Sequence, residues 1–477
     1  MTPSGMDNGA VNSVPNDGMI RYLGILNSER LLITSPKALN EVLTTKSYEF
    51  IKPAQIAQGI GQLLGVGVLL AEGEEHKFQR KHLMPAFAFR HIKDLYPVFW
   101  AKSKEAALAM TEDIKANAGK PKELDAEKGP IAADQAIMEA GSWASRATLD
   151  IIGVAGMGQD FGAIADPATP LFKTYNRIFK PSKQAQILQL LGIFVPIWIV
   201  RRLPVKRNGE LEAAVKVIRS TCAQLIASKK EKLAKKALTD VDILSVAIES
   251  GGFKDENLID QVMTFLAAGH ETTASAMTWA IYMLCLHPEI QTKLRTEIRS
   301  KLPSVDSDES VSSPDIDRMP YLNAVCNEVL RYFAPVPLTV REAVVDTSIL
   351  GHVVPKGTRI MLVPSATNKD TSLWGDDAGT FNPDRWMPDI STSPHVRNGG
   401  AASNYAFMTF LHGPRSCIGQ GFSKAEFACL LAAWIGRLEF ELNDPAEMDQ
   451  SKLRIKSGVT QRPADGLWVK ARVLPGW

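Results

Sequence analysis

The stretch FLHGPRSCIG, Phe410 to Gly419, decides how this chain is read. Cys417 stands between Gly413 and Gly419, just ahead of a helical run from Ser423 to Trp434. Glycine tolerates positive φ and lets backbone approach a flat ligand closely. Backbone N–H groups near a helix start can donate to a thiolate and lower its pKa. Arg415 can pair with an anionic group on the edge of such a ligand. Taken alone, a cysteine in a glycine-rich turn is also what a buried structural thiol looks like.

Three further groups of residues bear on the choice. Upstream, Ala268-Gly269-His270-Glu271-Thr272-Thr273 puts polar groups in the middle of an apolar helical run from about Asp260 to Leu286. A buried glutamate is costly unless paired, and threonine can bond back to the preceding turn and widen a helix. A hydroxyl beside a carboxylate can hold water and pass protons. The His270-Glu271 pair begins a zinc-protease motif, but that motif needs a second histidine at position 274, which is Ala274. Next, Glu328 and Arg331 lie one turn apart on the helix Met319 to Phe333; alone, such a pair is an ordinary surface ion pair. Phe381-Asn-Pro383-Asp384-Arg385-Trp386 follows it. Near the N-terminal end, His76 and Arg80 share one helical face.

Composition sets the frame. The chain has 477 residues, 45% hydrophobic and 22% charged, with net charge +2 from 54 basic and 52 acidic residues. That balance gives no reason to expect nucleic acid as a partner. The five cysteines are odd in number and form no CxxC pair, which argues against a disulfide framework or structural zinc. With no Asn-x-Ser/Thr acceptor either, a reducing compartment is expected. No run of ~20 apolar residues offers a transmembrane helix. Residues 1–17 are polar and are expected to be disordered. The pattern from residue 18 to 477 is mainly α with a minor β region, drawn from both ends and undivided by any long linker.

In their order and spacing these segments resemble the cytochrome P450 family, eukaryotic microsomal members above all, over roughly residues 18 to 475. The cysteine stretch matches F-x-x-G-x-R-x-C-x-G throughout. The resemblance implies one domain with the P450 fold, a triangular helical prism holding haem between the long central helix and the cysteine loop. It implies haem b (iron protoporphyrin IX) with Cys417 as its axial thiolate. Phe410, Gly413, Arg415 and Gly419 would complete the loop, and His76, Arg80 and Arg341 would bind the propionates. The family usually has tryptophan where this chain has His76. Ala268 and Gly269 would leave room for dioxygen, Thr272 would hydrogen-bond it, and Glu271 would connect Thr272 to solvent. Glu328, Arg331 and Arg385 would form a buried structural triad.

The implied reaction is monooxygenation of an apolar small molecule, lipid-like or a secondary metabolite. Phe265, Thr273, Val336, Leu338 and Val459 are the expected substrate walls. The chain carries no flavin or nicotinamide fingerprint, so a separate NADPH-cytochrome P450 reductase, with cytochrome b5 beside it, is the expected electron source. A haem-thiolate isomerase or dehydratase and a haem-binding sensor stay open as alternatives. Most microsomal members start with an anchor helix, and the resemblance leads to the expectation that this sequence begins after it. Ile187 to Val200, followed by Arg201-Arg202, is the expected site of peripheral contact with the cytosolic face of the endoplasmic reticulum.

Overall fold

The computed structural model describes residues 14–24, 27–120, 131–179, 184, 187–188, 191–192, 195, 197–235, 242–387 and 398–477. These fall into two compact units that interleave along the chain. The first draws on Met1–Ile51, Ile92–Ser145 and Glu271–Trp477, the second on Lys52–His91 and Arg146–His270.

Twelve strands occur among the described residues, all in the first unit, numbered β1 to β12 in chain order. One sheet has the order β1 (Met19–Leu23), β2 (Glu29–Ile33), β8 (Arg359–Leu362), β5 (Thr339–Ala343), β3 (Phe50–Ile51). Its β2–β8 pair is parallel and the others are antiparallel. Ile33, Leu39, Leu43, Phe50, Ile360 and Met408 form a fully buried cluster on this sheet, so the core reaches the residues leading into the cysteine turn. A second, antiparallel sheet runs β4 (Gln135–Glu139), β12 (Trp468–Val473), β9 (Leu438–Leu442). Two hairpins complete the set, β6 (Thr347–Ile349) with β7 (His352–Val354), and β10 (Ile455–Ser457) with β11 (Gln461–Pro463).

Helices in this unit form where the sequence supplies starts and apolar faces. Pro288 opens the helix Pro288–Lys301, which buries Leu294 and Ile298. Pro320 opens Pro320–Tyr332. The helix Gln420–Arg437 buries thirteen of its residues. It packs on Tyr96–Asn117, where Phe99 meets Phe422 edge to face at 4.9 Å.

The second unit is helical among its described residues, with Ala54–Leu64, Gly73–Leu83, Pro170–Phe179 and Lys206–Ala234 as its longer members. It also takes the first half of the long helix Asp255–Leu286, whose second half belongs to the first unit. Here Asp260, Gln261 and Thr264 clamp the strap after Ala54–Leu64. Asp260 accepts from Val66 N at 3.1 Å, Gln261 from Val68 N at 2.9 Å, and Thr264 donates to Leu64 O at 2.6 Å. Only glycine fits this close contact: a Cβ on Gly67 would lie 2.4 Å from Thr264 Oγ1.

Candidate active site

The cysteine turn is built within the first unit. Gly413 has φ +76°, and a Cβ there would lie 2.1 Å from Leu43 O, so both the conformation and the space require glycine. Leu411 is also left-handed, at φ +55°; for a leucine this stores roughly 1–2 kcal/mol. Gly419 sits at φ −88°, an ordinary value, so any need for glycine there is spatial rather than conformational. Cys417 N donates to Phe410 O at 2.9 Å and closes the turn, and the helix Gln420–Arg437 starts three residues on.

Of the five thiols only Cys417 is exposed. Burial raises the pKa of the other four, Cys222 to about 12. A buried thiol held protonated is a poor metal ligand, whereas Cys417 sits on a turn ahead of a helix start. Its sulfur would supply a soft ligand to the haem iron. Arg415 is buried and donates to Phe50 O at 3.3 Å. Arg341, on β5, is buried and donates to Thr339 Oγ1 and Val340 O, both at 3.0 Å.

A charged cluster anchors the turn. Glu328 is fully buried and accepts from Arg331 Nε at 2.8 Å, Arg331 Nη2 at 2.7 Å and Arg385 Nε at 3.3 Å. Two donors not foreseen in the sequence join it, Asn382 N and Trp386 Nε1, both at 2.8 Å. Arg331 also donates to the carbonyls of Asn368, Ala378 and Thr380. Asn368 carries the cluster to the loop. Its amide donates to Arg331 O and Thr409 Oγ1, and its carbonyl accepts from Met408 N at 2.7 Å. Nothing in the residue pattern around Asn368 marked it, because its partners, Arg331 and the adjacent Met408 and Thr409, lie on two segments far from it in sequence.

The long helix runs without a break through Ala268–Thr273. Ala268 and Thr272, four apart on one face, keep partial exposure while Leu266, Ala267, His270 and Thr273 are buried. Gly269 has a packing reason: a Cβ there would come within 2.9 Å of Ile152. His270 is a core histidine, bonded to Leu266 O at 2.7 Å and stacked obliquely on Tyr175. Glu271 is buried. It accepts from Thr460 Oγ1 at 2.8 Å and pairs with Arg462.

Thr273 is 1% exposed and bonds Ser423 Oγ at 3.2 Å beside the buried carboxyl of Glu426, so it faces the helix Gln420–Arg437. The helical period turns it about 100° from Thr272. Leu338 packs on the Leu32, Met361, Val363 and Ala366 cluster, which leaves only part of its surface for a ligand. Val336 is half-buried and Val459, at the hairpin tip, is exposed. In the second unit, Phe265 is buried against Phe87, with ring centres 5.5 Å apart. His76 is buried on Gly73–Leu83 with Arg80 one turn further on and partly exposed.

The cytochrome P450 family model matches residues 17–467. Cytochrome P450 monooxygenase sphH of Aspergillus fumigatus is 48% identical over 483 residues, covering 100% of this chain and 85% of that protein. Cytochrome P450 monooxygenase ALT8 of Alternaria alternata is 47% identical, covering 98% and 84%. FUM15 of Gibberella moniliformis, another cytochrome P450 monooxygenase, is 48% identical, covering 97% and 83%. The chain belongs to the cytochrome P450 family. It is a haem monooxygenase, an oxidoreductase that takes O2, a small-molecule substrate and electrons from a redox partner.

Proposed function

We propose that the chain binds haem b through the Cys417 thiolate and inserts one atom of O2 into an apolar small organic substrate, lipid-like or a secondary metabolite. Electrons come from a separate NADPH-cytochrome P450 reductase, with cytochrome b5 as a second donor. The observation that carries this reading is Cys417, the exposed thiol on a turn held by Gly413 and braced through Asn368. When bound, haem supplies the iron at which dioxygen is reduced and cleaved. Phe410, Gly413 and Gly419 shape the turn. Arg415, Arg341, His76 and Arg80 would donate to the haem propionates, and Ala268 would keep a small side chain on the long helix. Thr272 offers a hydroxyl that can accept and donate at once, and Glu271 takes protons from water and passes them on. Phe265, Val336, the free part of Leu338 and Val459 give an apolar lining. Residues 18–477 act as one cytochrome P450 domain.

Among the described residues no helix is long and apolar enough to cross a membrane. Part of the Ile187–Val200 run lies outside the described residues. Within the rest, Ile187 is 56% and Trp198 57% exposed, and Arg202 lies over the Trp198 ring. An exposed tryptophan beside arginines supports peripheral contact with the cytosolic face of the endoplasmic reticulum.

The test is the absorption of the reduced, carbon monoxide-bound protein. The long-wavelength band of a thiolate-ligated haem is expected for the unaltered chain and its loss for Cys417→Ala. Retention of that band in Cys417→Ala refutes the ligand assignment. With reductase, Thr272→Ala should divert electrons from product to hydrogen peroxide; unchanged coupling removes Thr272 from the mechanism.

A further inference from the structure

Glu271 is held by one short piece of chain, Thr460 to Arg462, at the entry to β11. Side chains alternate along an extended segment. Thr460 and Arg462 therefore reach Glu271 together, while Gln461 between them turns away and donates to Ala334 O at 2.8 Å. Gln461 is pinned from three further sides. Its N–H donates to Pro335 O at 2.9 Å, and its carbonyl accepts from Ser275 Oγ at 2.7 Å and Trp279 Nε1 at 3.0 Å. The anchored residue and its two clasping neighbours are thus distinct in role. The same hairpin carries Val459 at its exposed tip, and the Gln461–Pro335 bond ties it to Val336. Both valines are assigned above to the substrate walls. The ion pair is graded in exposure: the Glu271 side chain is 7% exposed and that of Arg462 33%.

We propose that Arg462 is a positioning residue that latches the Glu271 carboxylate to the β10–β11 hairpin, and that an apolar substrate pressing on Val459 and Val336 loosens the latch. This rests on Glu271 being the proton-holding group. Released, the carboxylate takes a proton from solvent hydronium, leaving water, gives that proton up toward Thr272, and re-pairs with Arg462 once ionised again. The proton taken from solvent is the proton delivered, so the cycle leaves Glu271 unchanged. The latch keeps the acid away from Thr272 in the substrate-free enzyme, which limits futile oxygen reduction. A partly exposed pair suits this use: it is weak enough to break in each turnover, unlike the fully buried Glu328–Arg331 pair.

The experiment uses the full haem-loaded chain with NADPH-cytochrome P450 reductase and no added substrate. NADPH oxidation is followed from acid to alkaline pH for the unaltered protein, Arg462→Gln, Arg462→Lys, Glu271→Gln and the Glu271→Gln/Arg462→Gln pair. The reduced carbon monoxide spectrum confirms haem loading in each. Arg462→Gln is expected to raise substrate-free NADPH oxidation about two- to fivefold, the range a partly exposed ion pair allows. Its pH profile is expected to differ from the native one, because Glu271 has lost its charged partner. Arg462→Lys restores most of the native behaviour, and the double variant shows no increase over Glu271→Gln. Thermal unfolding of the four-member cycle reads the pair itself, with the two single losses in Tm summing to more than that of the double. Should Arg462→Gln load haem poorly, Thr460→Val loosens the clasp without removing charge, and a smaller rise of the same sign is expected. A lowered Tm with native leak and pH profile in Arg462→Gln or Thr460→Val, while Glu271→Gln alters both, overturns the latch and leaves the proton role standing. A native leak and pH profile in Glu271→Gln overturns the proton role itself.

Discussion

Replacing Glu328 by glutamine keeps the shape of the side chain and removes its charge. Five donors converge on that carboxylate, four of them at 2.7–2.8 Å and one at 3.3 Å. The side chains of Glu328 and Arg331 are 0% exposed and that of Arg385 is 6%. An amide offers one acceptor oxygen and turns an NH2 toward groups that are themselves donors. Arg331 keeps its three carbonyl partners and Arg385 keeps Asp377, so the guanidiniums are not wholly stranded. Breaking a buried pair costs about 3–5 kcal/mol, and these residual partners place Glu328→Gln near about 3 kcal/mol. Against a total of roughly 5–15 kcal/mol this is a large loss, and Tm should fall by roughly 3 °C for a chain of this length. The loss should also reach Cys417, since Asn368 links Arg331 to Met408. On warming, the thiolate-type band of the reduced carbon monoxide complex should decay before global unfolding. A Tm within a degree of native together with an equally durable band would refute the reasoning that the cluster braces the turn.

Gly413→Ala adds a methyl group 2.1 Å from Leu43 O at a positive φ; it should cost about 2–4 kcal/mol and sharply reduce haem retention, measured as the haem-to-protein absorbance ratio. Burial, then the charge of Arg331, lowers the Lys369 pKa to about 8, with its ammonium over the Tyr332 ring. A lysine depressed on folding destabilises at neutral pH and relents as pH rises from about 8 toward its unfolded value. Lys369→Met should therefore be more stable than native at pH 7, by about 1–2 kcal/mol after allowance for partial exposure and the lost ring contact, with the gap closing in alkali. Glu426 is fully buried, and burial pushes its pKa well above the carboxylate range. The folded state then holds a proton that the unfolded state releases above its ordinary value, so stability falls as pH rises through that window. Glu426→Gln, a stand-in for the neutral acid, should match native stability in acid and exceed it increasingly with pH; parallel Tm curves would refute a buried neutral carboxyl.

The parts of the fold legible in the sequence were those with local causes. Pro288 and Pro320 mark helix starts, and the three-residue step from Glu328 to Arg331 requires their meeting once a helix is granted. β4 was missed because Gln135 to Met138 are all buried, which removes the alternation that marks a strand. Asn368, and the donor roles of Asn382 N and Trp386 Nε1 toward Glu328, escaped notice because topology sets their partners. The bond from Thr273 to Ser423 was not legible either, because a motif names neighbours in sequence, whereas a helix points consecutive side chains in different directions. Arg462 had no signal at all: its partner Glu271 lies far back along the chain.

The pairing of β4 with β12 has a consequence for how the molecule is made. Gln135 aligns with Arg472 and Glu139 with Trp468. On the ribosome, β4 emerges long before the strand that covers it, and its buried edge must wait through most of synthesis. Long-range pairing of this kind is slow to form and exposes sticky edges meanwhile. Yield in a cell should therefore respond more to chaperone supply and growth temperature than to codon choice near the start of the message.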